Sequence, residues 1–426
     1  MSNVKAPTPI HLLRSHTSPV AALFVSPDNE RIYSGDASGR AVLTSTRTLR
    51  AIASWKAHED GFLGIEEWEN GNGIITHGRD NKLHVWNRPD EISITSGIGG
   101  SAALPGLPTP TLRFSLDVNA LNYCRFSLLP TSIIGSTLLT QNLPSASTST
   151  TDSSSVLPAL IALPNLIESS EADVWSLPSC KRLHAAIGKR VKTSIFSENG
   201  RTGEDPTGAN PLSIIMSLHI FETTSSSPQS SKVTPELRIL IAYESGDITL
   251  RRYANIERQA SVEGKDWEVI WNTKIHQEAI MAMQVSSDNR FALTVSADHV
   301  VGRYDLTAST LQDSSTTFRT KHPGNACIAI RDDGRVCAVG GWDGKIRLYS
   351  TKSFKPLGTL KYHKDGCQAL SFVTSVSTTE QPEHDDHTDE DEDMSAEDNL
   401  KRSRWLVSGG KDKRIAIWGL ISFAKS

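Results

Sequence analysis

The chain has 426 residues, 38% of them hydrophobic, and a formal net charge of −4. That length allows one large all-β domain or two or three average ones, and the charge gives no general electrostatic reason to expect nucleic-acid binding. No stretch approaches the roughly 18 apolar residues of a membrane span, no signal-like apolar run opens the chain, and Cys124, Cys180, Cys327, Cys337 and Cys367 form no C-x-x-C pair; the expectation is a soluble intracellular protein with reduced thiols.

The first predicted element is PIHLLRSH (9–16), a short β-rich run with no strand before it to pair with. PVAALFVSPDNERIYSGDASGRAVLTS follows, three β-rich runs separated by the turns SPDN and GDASG, and LRAIASW (49–55) supplies a fourth. Next, THGRDNKLHVW places Thr76 four residues before Asp80 and Trp86 six after it, with His58 22 residues before the aspartate. The same spacing recurs. His276 is 22 before Asp298, with Thr294 and Tyr304 in the flanking places. His322 is 21 before Asp343, with Tyr349 six after it. His363 is 49 before Asp412, which keeps Ser408 and Trp418 at the usual distances, and one inserted acidic loop accounts for the excess. In the first repeat, His16 and Ser34 are expected tetrad members, with Ser38 expected to replace the aspartate and Thr44 the tryptophan.

The histidines fall 42, 46 and 41 residues apart at 16–58, 276–322 and 322–363. A period just above 40 with W-D-like signatures signals a β-propeller. Two weaker repeats lie between, one from LDVNALNYCRF (116–126) to DVWSL (173–177), the other from KRVKTSIF (189–196) to ILIAYESGDITLRRY (239–253), making seven. The fold expectation is therefore all-β: one seven-bladed propeller over 1–426. The N-terminal strand is expected to pair with the last blade and close the ring, removing an open edge. Low-complexity stretches at 97–110, 144–155, 198–210, 223–235 and 374–399 read as disordered insertions. The last contains eleven acidic residues and no basic ones between Glu380 and Asp398. It reads as a solvated, self-repelling loop or as a docking segment for a basic partner.

No sequence pattern argues for catalysis. GIGGSAALPG lacks the Walker Lys-Ser/Thr, no G-x-S-x-G elbow occurs, and HDDH around His384 and His387 offers no fixed metal geometry. The expectation is no catalytic residue, no cofactor and no metal.

These segments resemble WD-repeat propellers. The resemblance implies that the aspartate orients the histidine, the histidine reaches the Ser/Thr, and the Ser/Thr reaches the Trp. It also implies that the residue before each aspartate faces the partner-binding top of the disc, here Ala37, Arg79, Ala297, Trp342 and Lys411. Residues after each histidine, among them Phe62 and Asn325, approach the same face. GGWDGKIRLY resembles the last repeat of heterotrimeric G-protein β subunits, where an aromatic at that position contacts partners, so Trp342 is the expected hot spot. A true β subunit would need an N-terminal coiled-coil helix for a γ partner, and only about ten residues precede the first strand.

LLRSHTSPVAALFVSPDNERIYSGDASGRAVLTSTRT, KAHEDGFLGIEEW and LVSGGKDKRIAIWGLISF make the whole chain similar to the fungal ASTRA-associated protein 1 family. That resemblance implies a non-enzymatic scaffold in the nucleus, and also in the cytoplasm. Its implied partners are RuvB-like ATPases, a phosphatidylinositol-3-kinase-related protein and its co-chaperones, in an assembly tied to chromatin remodelling. A ubiquitin-ligase substrate receptor is the alternative scaffold.

Overall fold

The computed structural model describes residues 7–89, 106–130, 158–189, 213–226, 233–255, 258, 260–375 and 396–420. They form seven four-stranded antiparallel sheets. Six blades run in chain order at 20–56, 62–117, 127–187, 215–274, 280–319 and 325–361. The seventh takes three strands from 367–419 and its outermost strand, His11–Leu13, from the start of the chain. Leu13 pairs with Ile415 and His11 with Ile417, so the expected ring closure is what the structure shows.

In blades one, two, five, six and seven the second strand is buried along its whole length because both of its faces meet other blades. Arg31–Asp36, Gly73–Gly78, Phe291–Ser296, Val336–Gly341 and Trp405–Gly410 are buried at every residue. Seven apolar clusters fill the seven seams between neighbouring blades. The closing seam joins Leu13, Val407, Ile415 and Ile417 of the last blade to Val20, Leu23 and Ile32 of the first. Trp55, Trp68, Trp267, Trp271 and Trp405 are buried in these layers, as strand packing requires.

Antiparallel connectivity sorts the loops onto two faces. Loops between blades and turns between second and third strands share one face; the other two loop types share the opposite face. On the first face, Gly39, Gly246 and Gly344 adopt positive φ of 80°, 86° and 72°. A Cβ on each would fall 1.9, 2.2 or 2.4 Å from the carbonyl oxygen of His58, His276 or His363 in the loop that follows. Glycine is required there by both backbone angle and space.

The fourth repeat, expected to run from 189–196, has Ile215–Ser226 as its first described strand, paired with Val233–Tyr243, and 190–196 lie outside the described residues. Two expectations need correction. Residues 223–226 and 233–235, expected in a disordered insertion, are the paired arms of that long hairpin. Residues 396–399, assigned to the acidic insertion, begin the helix Ala396–Arg402. The expected insertion at 144–155, most of 97–110 and 198–210, and 376–395 with HDDH, lie outside the described residues.

Closure through Leu13 makes stability depend on the first strand. Leu13→Ala is expected to destabilise the protein by about 2–3 kcal/mol in urea unfolding, the usual cost of truncating a buried leucine. An unchanged midpoint would contradict this closure.

Candidate docking face

In blade two the four spaced residues form one hydrogen-bonded relay. His58 Nδ1 lies 2.9 Å from Asp80 Oδ1, His58 Nε2 lies 2.9 Å from Thr76 Oγ1, and Trp86 Nε1 donates to that hydroxyl at 2.9 Å. The indole N–H already donates to Thr76, so the hydroxyl proton goes to Nε2 and the ring proton sits on Nδ1, facing the carboxylate. Burial depresses His58 to about 4 despite the Asp80 charge, which agrees with a neutral ring. Blade seven repeats the geometry with His363, Asp412, Ser408 and Trp418 at 2.9–3.0 Å. Blade five does so with His276, Asp298 and Thr294, and the Tyr304 hydroxyl lies 3.3 Å from Thr294 Oγ1.

Blade one corrects the expectation for Ser38. The carboxylate partner of His16 is Asp36, 2.8 Å from Nδ1, while Ser34 lies 2.8 Å from Nε2. Ser38 donates its backbone and hydroxyl hydrogens to Asp36 instead of replacing it. Burial opposes ionisation there, but the bonds from His16 and Ser38 hold the Asp36 carboxyl below its ordinary range. Thr44 is buried at the tryptophan place.

Blade six has no histidine relay. His322 is exposed, and Asp343 pairs with Arg347 through contacts of 2.6 and 3.2 Å. The reason is local. Val339 stands where the hydroxyl would be and offers Nε2 nothing. Arg347, opposite Val339 as His84 is opposite Thr76, fills the vacated space. A Cβ on Gly341 would meet Arg347 Nη1 at 2.9 Å, whereas on Gly78 it would meet His58 Nδ1 at 2.5 Å. Burial raises the Asp343 pKa, yet Arg347 and Lys345 bring it down to about 2. Tyr349 is buried in the seam with blade five. DGKIR carries the signal for this substitution.

In blades one, two, five and seven the relays join the inter-blade loop to the turn of the blade it enters, and backbone bonds add a further tie. Ala37, Arg79, Trp342 and Lys411 donate their N–H groups to Pro19, Gly61, Gly324 and Gly366 at 2.8–2.9 Å. These four side chains precede the aspartate position, so this face presents them on hydrogen-bonded backbone. Trp342 is 52% exposed, its ring seated over Gly324. Arg79 is exposed with its guanidinium 5.4 Å from the Tyr123 ring centre, and Lys411 is exposed. Phe62 and Asn325 are not on the surface. Phe62 is buried edge-on against the His58 ring at 5.1 Å and lies over Gly35, and Asn325 donates to the Asp298 carbonyl. Both serve the relays from beneath the face. Exposed Leu166 and Ile167, in a second-to-third-strand turn of the same face, escaped sequence reasoning; an apolar pair inside PNLIESS was the available signal.

A central channel of about 500 Å³ opens among the inner strands. Its lining includes Arg125, paired with Glu66 at 2.6 Å, and no histidine. His58, Asp80 and His84 could together approach a metal ion, but both His58 nitrogens are engaged in the relay.

The repeat geometry defines a WD-repeat β-propeller, and residues 7–43 and 314–350 match the family described as WD domain, G-beta repeat. The chain is similar over nearly its full length to proteins named ASTRA-associated protein 1. It is 30% identical to the one from Penicillium rubens, covering 97% of each chain. It is 29% identical to that of Verticillium alfalfae, covering 98% of this chain and 93% of the relative. It is 27% identical to that of Schizosaccharomyces pombe, covering 86% and 93%. The chain belongs to the ASTRA-associated protein 1 family.

Two outcomes test the relays. Asp80→Ala and Asp412→Ala are each expected to cost about 1–3 kcal/mol in chemical unfolding, while His322→Ala stays within about 0.5 kcal/mol. Equal effects would contradict the blade-six assignment. Acid should also destabilise the fold. Between the ordinary histidine value and about 4 the unfolded chain binds a proton that folded His58 does not. His58 therefore contributes stability above about pH 6.5 that is lost toward pH 4, at up to about 1.4 kcal/mol per pH unit. An unfolding series over that range checks it; a flat profile contradicts it.

Proposed function

We propose that this protein is a non-enzymatic docking scaffold of the ASTRA assembly. The observation that carries this is a half-exposed tryptophan held on hydrogen-bonded backbone at the loop face. A large apolar side chain that is already ordered loses little entropy on binding, which is what an interface anchor needs. The relatives' name supplies the assembly. The finer reading follows the family resemblance: the disc brings together RuvB-like ATPases, a phosphatidylinositol-3-kinase-related protein and its co-chaperones. It thereby serves assembly or stability of the kinase-like subunit and chromatin remodelling, in the nucleus and also in the cytoplasm. The protein acts as a monomer within the larger complex, with no direct nucleic-acid or membrane contact.

The test is purification of the tagged protein from its own cells at gentle salt, with co-purifying proteins identified by mass spectrometry. The expected result is RuvB-like ATPases together with a kinase-like giant protein and its co-chaperones, and loss of at least one of them with Trp342→Ala at an unchanged thermal midpoint. Ubiquitin-ligase components in their place would establish the substrate-receptor alternative and overturn the ASTRA reading.

A further inference from the structure

The setting of Trp342 has a chemistry of its own. Trp342 bonds to Gly324 through its N–H, Gly366 packs against its backbone, and Lys411 bonds to Gly366, so the loops of blades six and seven form one continuous surface. Exposed Lys321, Lys364, Lys411 and Lys413 stand in those loops, and Lys345 is partly exposed beside them. The carboxylates there are Asp343, which pairs with Arg347 and with Lys345 at 3.3 Å, Asp365 and Asp412, three negative charges against five lysines and Arg347. The surface around the indole therefore carries positive charge that is not neutralised locally, on a chain whose net charge is −4.

We propose that the Trp342 surface of blades six and seven receives an acidic protein segment bearing an apolar anchor side chain. This names the partner chemistry of the docking face and rests on that reading. The anchor covers the open part of the indole and displaces its water, while carboxylates of the segment meet the ring of lysines and steer its approach. Protein fits better than nucleic acid. A single-stranded nucleic acid is held by successive aromatic platforms along a basic groove; here there is one indole, and Gly324 lies beneath it.

The test uses the full chain and fluorescein-labelled short peptides of alternating Glu and Asp around a central Leu-Phe pair. One control peptide replaces the apolar pair by Ser, and another replaces the acids by Lys. Anisotropy is read at low and high salt. The acidic apolar peptide is expected to bind, with affinity falling as salt rises. Trp342→Ala should weaken it about tenfold or more. Lys364→Glu combined with Lys411→Glu should do the same and flatten the salt dependence. Lys352→Glu, on the opposite face of blade six, should change nothing. If Trp342→Ala lowers the thermal midpoint, Trp342→Leu replaces it. No binding, equal binding of the control peptides, or tighter binding of a single-stranded oligonucleotide overturns the proposal. If the peptide fails while Trp342→Ala still releases partners from cell extract, the docking reading stands and the acidic partner falls; failure of both removes both.

Discussion

The rest of the structure depends on a buried histidine that must satisfy both ring nitrogens. An imidazole inside a seam of apolar side chains is costly unless each nitrogen finds a partner. In blades two, five and seven one partner is a hydroxyl on the second strand and the other is a carboxylate in the turn beyond it. The histidine itself comes from the preceding inter-blade loop. Its two bonds therefore pin a loop to a turn that would otherwise move independently. Glycine at the turn lets the next loop's carbonyl approach, and the N–H before the aspartate closes the contact. A polar demand inside the disc thus becomes order on its surface.

The same place tolerates different chemistry provided the charges are matched. Blade one moves its carboxylate two residues upstream, to Asp36, and uses Ser38 as an extra donor. Blade six drops the hydroxyl and the histidine together and joins Asp343 to Arg347. Blade three buries Asp173 against Asn165 and the N–H of Ala186. In blade four the turn keeps Gly246, with Ser245 donating to Asp247. What these blades share is the apolar layer on each side, so the ring remains continuous where the relay is absent.

Fold and blade number were legible because the histidine-to-aspartate interval is set by strand and turn lengths that vary little. Ring closure was legible too, since PIHLLRSH is a β-rich run that stands before the first repeat without belonging to it. The details failed where a residue's role depends on its neighbour in space. Asp36 and Ser38 both sit in one turn, and only geometry separates acceptor from donor. His322 keeps the spacing, but Val339 removes its reason to be buried. Phe62 and Asn325 follow the positional rule for the face, yet Gly35 leaves room for Phe62 to turn inward, and the Asp298 carbonyl draws Asn325 down. Long hairpin arms at 223–226 and 233–235 were hidden by a Ser- and Thr-rich composition that is as compatible with exposed strand as with loop.

Function enters through this ordered surface. Trp342, Arg79 and Lys411 are the exposed side chains that the proposed docking would present to a partner, and the backbone beneath them is bonded to the loops alongside. The most direct measurement of that claim is amide hydrogen exchange, resolved by residue, on the free protein in solution. The account predicts slow exchange at the N–H groups of Arg79, Trp342 and Lys411 although their side chains are exposed, because each donates to a loop carbonyl, in turns that a relay pins at Arg79 and Lys411 and that the Asp343–Arg347 pair braces at Trp342. Exchange as fast as that of an unbonded surface loop at these three positions would contradict it: the face would be mobile and the relays would not organise it.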